Sequence, residues 1–215
     1  MQDSRLSLRH FVLIAYMWSI DSTNTQVVDM LDVEMETLVQ YFQYFRDVCS
    51  CWLIQNPPIL GGVGMVVQRD ESVIAKRKYN RGRRVEQRWV FGMYDVHRRF
   101  GCVQQVLNRS AATLLPIIER FIAPGSVIHS DEWAAYINIS QIAVVPAYTH
   151  MTVNHSQFFR DPATGVHTNN VECFWKNVKQ KLKKLCGVTD NMLPSSFGGS
   201  TTETKQASKA KLPIS

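Results

Sequence analysis

Residues 65–72 read MVVQRDES. Val66 and Val67 are β-branched, as a strand prefers, and the run closes on the acids Asp70 and Glu71. Side chains alternate along a strand, so Val66, Gln68 and Asp70 share one face and Val67 and Arg69 the other. If Asp70 faces an active centre, Arg69 points into the packed side of the sheet. A buried guanidinium without a partner is strongly destabilising. Arg69 must therefore snorkel to the surface, pair with an acid such as Glu119, or strain the sheet.

The sequence around this run predicts an α/β domain. RWVFGMYDV (88–96) and GCVQQVL (101–107) are two strands joined at HRRFG as a hairpin. SAATLLPIIERFI (110–122) is a helix that Ser110 can cap. GSVIHSD (125–131) is a short buried strand, EWAAYINI is a helix, and YTHMTVNHS (148–156) is a further strand. TNNVECFWKNVKQKLKKL (168–185) is a basic helix. The order β-β-β-α-β-α-β-α specifies a mixed sheet flanked by helices.

Upstream, residues 1–56 form a small all-helical unit. LRHFVLIAYMWSI is one helix. NTQVVDML is a short second, capped by Thr23 or Asn24. EMETLVQYFQYFRDVCSCWLIQ is a longer third, with an apolar face at Leu38, Phe42, Phe45 and Val48. This is a helix-turn-helix-like outline. Its chemistry fits DNA poorly, because the third helix opens on Glu34 and Glu36 and its one clear cation is Arg46. A packing or dimerising role stands beside DNA contact. QNPPILGGVG follows, so 57–64 reads as a linker and 65–186 as the main domain. Residues 187–215, rich in Ser, Thr, Gly and Lys, read as a disordered tail.

The chain has 215 residues, 45% of them apolar, enough for a sizeable core. Its longest apolar run, FVLIAYMWSI, is too short to span a membrane. The 5 cysteines are odd in number and lack framework spacing, which points to reduced thiols in an intracellular protein. Charge is unevenly shared. Residues 1–60 are net acidic and 61–215 strongly net basic within an overall +6, which points the main domain at a polyanion such as DNA. KRKYNRGRR (76–84) sets Lys76, Arg77, Lys78, Arg81, Arg83 and Arg84 around Tyr79 and Asn80. That cluster suits phosphate neutralisation in a flexible hairpin, or nuclear import if the host is eukaryotic.

Asp70 ends the first strand, Asp131 ends VIHSD, and Glu172 lies in the first turns of the basic helix. Three acids on one sheet form a plausible pair of sites for a hard, oxygen-seeking cation such as magnesium. Two ions about 4 Å apart can activate a nucleophile and stabilise a leaving oxygen in phosphoryl transfer. Lys176 and Lys179 share a helix face with Glu172 and either hold a DNA phosphate or are ordinary solvated lysines. His167 and Asn169 either orient the acid or touch phosphate; helix capping is the alternative for both. His155 reads as a structural histidine. His150, His155, His167 and Cys173 match no closed zinc pattern. Trp89, Trp133 and Trp175 read as core or helix-packing residues.

Three runs together carry a resemblance: RDESVIAKRKYNRGRRVEQRWVFG, NRSAATLLPIIERFIAPGSVIHSDEWAAY and YTHMTVNHSQFFRDPATGVHTNNVECFWKNVK. Over roughly residues 60–180, and in the right order, they resemble insertion-sequence transposases of the ISXO type. The resemblance implies an RNase H-like DDE domain that cleaves DNA and transfers strands with two Mg2+ or Mn2+ ions. It further implies copies assembled on DNA ends, with no membrane and no small-molecule substrate. By motif, Asp70, Asp131 and Glu172 match the three acids. Relatives carry a VEIDE-like run where this chain has VQRDE, so Gln68 replaces an acid and Arg69 an apolar residue. Relatives also continue past GVTDNMLPS into an aromatic helix, and many begin with a Cys-rich zinc ribbon. Both features differ here, and two readings stay open: an active transposase domain, or a domesticated or decayed copy that binds DNA or a protein without catalysis.

Overall fold

The computed structural model describes residues 6–74, 88–154 and 157–184. The basic cluster at 76–84, His155 and the expected tail at 187–215 lie outside them. The chain divides into two compact units, 1–55 and 56–215. No helix among the described residues is long and apolar enough to cross a membrane.

The first unit holds three helices: α1 (Leu8–Ser19), α2 (Asn24–Leu31) and α3 (Met35–Gln55). Ser7 Oγ accepts from the His10 amide to cap α1. Thr23 and Gln26 form a reciprocal capping box on α2. Ile14, Met17, Val27, Val33, Leu38, Phe42 and Phe45 make the core. Two expectations for α3 need correcting. Val48 is 49% exposed and lies off the buried face. Arg46 is buried and folds back, its Nε and Nη2 donating to Gln43 Oε1 at 3.2 and 2.9 Å. The single clear cation of α3 is thus spent on its own helix.

The second unit is the expected mixed sheet, flanked by helices. Its strands are β1 (Val66–Val73), β2 (Trp89–Asp95), β3 (Phe100–Val106), β4 (Val127–Asp131) and β5 (Thr149–Val153), in the order β3-β2-β1-β4-β5. The β1–β2 and β2–β3 pairs are antiparallel; β1–β4 and β4–β5 are parallel. β1 is therefore central, with hydrogen-bonded neighbours on both sides.

Each face of the sheet has its own core. On one, α4 (Ala111–Phe121) sets Leu114, Ile118 and Phe121 against Val67, Phe91, Met93 and Ile128. On the other, α5 (Asn169–Lys184) packs Val171, Phe174, Trp175 and Val178 against Val90 and Val103. α5 sits close because two strand positions lack a side chain. A Cβ on Gly92 would lie 2.5 Å from Trp175 Cζ2, and one on Gly101 2.8 Å from Phe174 Cζ.

The 57–64 stretch is fastened to this sheet. Gly61 N donates to Asp95 Oδ2 at 2.8 Å and Gly62 N to Ser126 Oγ at 2.9 Å. Asp95 is fully buried, and its Oδ1 accepts from the amides of His97 and Arg98 in the hairpin turn. Ser110 stands at the amino end of α4 but makes no side-chain cap bond there. The helix expected at EWAAYINI is absent; two short 3₁₀ turns, Ala134–Tyr136 and Ile139–Gln141, replace it. Tyr136 and Ile139 are both buried, and a three-residue spacing of buried groups suits the tighter 3₁₀ winding.

Candidate functional site

The β1–β4 register decides where the acids fall. Val66 pairs with Val127, Val67 with Ile128 and Gln68 with His129. Carried two residues further along both strands, that register sets Asp70 level with Asp131, on the face that α5 covers. Glu172 lies in the first turn of α5, and α5 lies across β1 and β2. On the other side, Asp70 pairs with Gly92, whose hollow takes the Trp175 ring.

Electrostatics bind the three acids into one neighbourhood. Burial pushes the Asp70 carboxyl up to about 6, and the charges of Asp131 and Glu172 push the same way. The Glu71 amide, donating to Asp70 Oδ1 at 2.8 Å, and the Arg69 guanidinium oppose that rise. Asp131 Oδ1 accepts from the Trp133 amide at 3.3 Å. Glu172 is exposed, and Thr168 Oγ1 donates to its Oε1 at 3.4 Å. Like charges gathered beside a partly desolvated carboxyl are unfavourable unless a cation neutralises them, and the donors are all oxygen. In charge and donor type they fit a hard divalent ion. Among the described residues, however, no group of three or more His, Cys, Asp or Glu is arranged to hold a metal ion. The acids share a region, not a closed coordination shell.

The remaining predicted residues divide. Lys176 and Lys179 are exposed on α5. His167 is half-buried and engaged: its carbonyl accepts from Gln68 Nε2 at 2.8 Å, and its Nδ1 lies 3.2 Å from that same nitrogen. Asn169 is exposed and opens α5. The amides of Asn170 and Val171 are met by Gln68 Oε1 instead, at 2.9 and 3.2 Å. Trp175 is buried as expected, whereas Trp133 is 42% exposed. Arg109 lies between Trp89 and Trp133, 4.0 and 4.6 Å from the two rings, an arrangement that the spacing of these residues gave no sign of.

Opposite Asp70, beneath the sheet, is an unexpected polar cluster. Arg69 points into the α4-side core, as strand alternation requires, and is 1% exposed. It neither snorkels nor reaches Glu119. Its charge partner is Glu71, two residues along the same strand face, with Nη1 to Oε1 at 3.7 Å. Nε, Nη1 and Nη2 all lack a hydrogen-bond partner. The guanidinium carbon sits 2.6 Å from the Tyr136 ring centre, inside the roughly 3.5–4 Å at which carbon atoms rest comfortably. Burial pushes Glu71 up to about 7, although Arg69 pulls it down. Burial and the nearby Arg69 and His129 push His150 down to about 4.

The ISXO2-like transposase domain model matches residues 63–192, more than half of the chain. The chain belongs to the ISXO2-like transposase family. An uncharacterized transposase-like protein of Haemophilus influenzae (strain ATCC 51907 / DSM 11121 / KW20 / Rd) is 31% identical over 83 residues, 39% of this chain and 63% of that protein. The chain thus spans less than two thirds of the length of that curated relative. Among solved structures, the BIV integrase catalytic core is similar at TM-score 0.43 and 14% identity, over 62% of this chain and 79% of that one. The HTLV-2 integrase catalytic core in complex with magnesium is similar at TM-score 0.43 and 14% identity, over 67% and 86%.

Proposed function

We propose that the second unit is a DDE-type nucleic-acid-processing domain that cleaves DNA and joins strands, with Asp70, Asp131 and Glu172 holding Mg2+ or Mn2+. One observation carries the reading: the β1–β4 register sets Asp70 level with Asp131, and the charges of Asp131 and of Glu172, in the first turn of α5, both act on Asp70. Bound there, the ions would activate the attacking oxygen and stabilise the leaving one. The chain's own part is to hold three carboxylates on a rigid strand–helix junction and to line the approach with cations. Lys176 and Lys179 extend from α5 on the side of Glu172, and the 76–84 cluster follows β1 directly in sequence; both serve to bind phosphate as point charges.

The test is nicking or joining of terminal-repeat DNA with Mn2+. Asp131→Asn abolishes it if the reading is right; equal behaviour of wild type and variant refutes it. A second reading, a resident copy that binds DNA without cutting it, is favoured by Arg69, whose overpacked guanidinium lies under the acid-bearing strand. A displacement of about 1 Å in a reacting group can cost a hundredfold in rate. That copy would still retain DNA without metal, in a salt-sensitive manner, and would not nick it.

A further inference from the structure

We infer that Gln68 is the positioning residue that sets Glu172 against Asp70, by capping the amino end of α5 from the neighbouring strand. The inference rests on the metal-site reading above and names the part that holds it in register.

The first amides of a helix have no partner within it, and a nearby Ser, Thr, Asn or Asp ordinarily supplies one. Here the partner comes from 102 residues away in sequence. Gln68 is 1% exposed, and both ends of its amide are in use. Its Oε1 accepts from Asn170 N at 2.9 Å and Val171 N at 3.2 Å, while its Nε2 donates to the His167 carbonyl at 2.8 Å. One side chain thus grips the turn entering α5 and the helix itself. No simpler side chain does both, because the grip needs an acceptor and a donor on one planar group.

The neighbours of this clamp give it meaning. Glu172 follows directly after Val171, the second clamped amide. Asp70 lies two residues past Gln68 on the same face of β1. Gln68 therefore ties the two backbones that carry these acids, close to both. The next turn of α5 is registered independently, by Trp175 in the hollow at Gly92. Loss of the Gln68 clamp should leave the helix docked but free its first turn, where Glu172 sits.

The test uses the full chain as wild type, Gln68→Met, Gln68→Glu and the packing control Val103→Ala. Amide hydrogen exchange is read residue by residue, and Mn2+ binding is read from the spin resonance of the free ion. In Gln68→Met, exchange at Asn170 and Val171 should quicken roughly tenfold or more, with Val178 little changed. Mn2+ affinity should fall about 10–100-fold, as when a metal ligand loses its supporting contact. Gln68→Glu keeps the acceptor but loses the donor to the His167 carbonyl, so its affinity should lie between those of Gln68→Met and wild type. Val103→Ala should lose stability without losing affinity. Unchanged exchange at Asn170 and Val171, or wild-type Mn2+ affinity in Gln68→Met, overturns the inference. Equal affinity loss in Val103→Ala also overturns it, since softened packing would then explain the effect. A wild type that takes up no Mn2+ refutes the metal-site reading instead, and exchange alone then judges the clamp.

Discussion

Replacing Arg69 with isoleucine should stabilise the protein. The site demands an apolar residue: Val67, Phe91, Met93 and Ile128 around it are fully buried. Arg69 has three unpartnered nitrogens there and a single loose ion pair at 3.7 Å. Its contact with Tyr136 is tighter than packing tolerates. Exchanging a buried ion pair for well-packed apolar groups is neutral or stabilising by about 1–4 kcal/mol. The partner left behind, Glu71, can take up a proton, since its carboxyl is already displaced to about 7, so the variant need not bury a lone charge near neutral pH. A gain of about 2 kcal/mol in a unit of this size raises Tm by roughly 4–8 °C. Thermal and urea unfolding of wild type and Arg69→Ile at pH 6 measure it. A Tm that falls by several degrees would show that Arg69 is held by favourable contacts, and the case for a misfit under β1 would collapse.

Other outcomes follow from the same geometry. Asp70→Asn removes a carboxyl whose folded value, about 6, lies above its ordinary value of 3.8. Wild type therefore loses stability as pH rises through about 6, and the variant does not. The advantage of Asp70→Asn should be near zero at pH 4 and should grow to a plateau above pH 7, by urea unfolding across that range. Mn2+ uptake should strengthen over the same interval, because the carboxyl must be deprotonated to bind; a flat profile from pH 5 to 7.5 would contradict the displaced value. Gly92→Ala should cost about 1–3 kcal/mol in denaturant unfolding, because the new methyl meets the Trp175 ring. Lys176→Ala and Lys179→Ala should weaken DNA retention, each lowering the salt slope by about one.

Much of this architecture was legible in the residues. Period-two alternation in VVQRDESV and WVFGMYD, and the apolar spacing in ATLLPIIERF, are local signals, and each gave its element. The side of the sheet that Arg69 enters followed from strand alternation alone. Most of what it meets there did not. Glu71 lies two residues on along the same strand face and was within reach of the alternation argument, but Tyr136 and His150 converge on Arg69 only through the fold, and Glu119, exposed on α4, was the wrong partner. The Tyr136 segment misled for a related reason: EWAAYINI has helical composition, yet its two buried residues dictate short 3₁₀ turns. Arg46 looked available because a lone cation on a helix is usually solvated, and its bond to Gln43 within the same helix is a matter of rotamer. Gln68 was visible only as an acid gone missing. Its role depends on where α5 begins in space, and no pattern near residue 68 records that.

The central place of β1 has a consequence for how the chain is made. Asp70 leaves the ribosome about a hundred residues before the turn it must face, and β4 supplies its parallel neighbour only midway between. Such distant pairings form late and slowly. If the proposed site holds an ion, the first two acids wait during translation, unable to cage it, until α5 arrives. On the proposed reading, synthesis itself would act as a safety catch, withholding competence from a nascent polypeptide until the first turn of α5 has emerged.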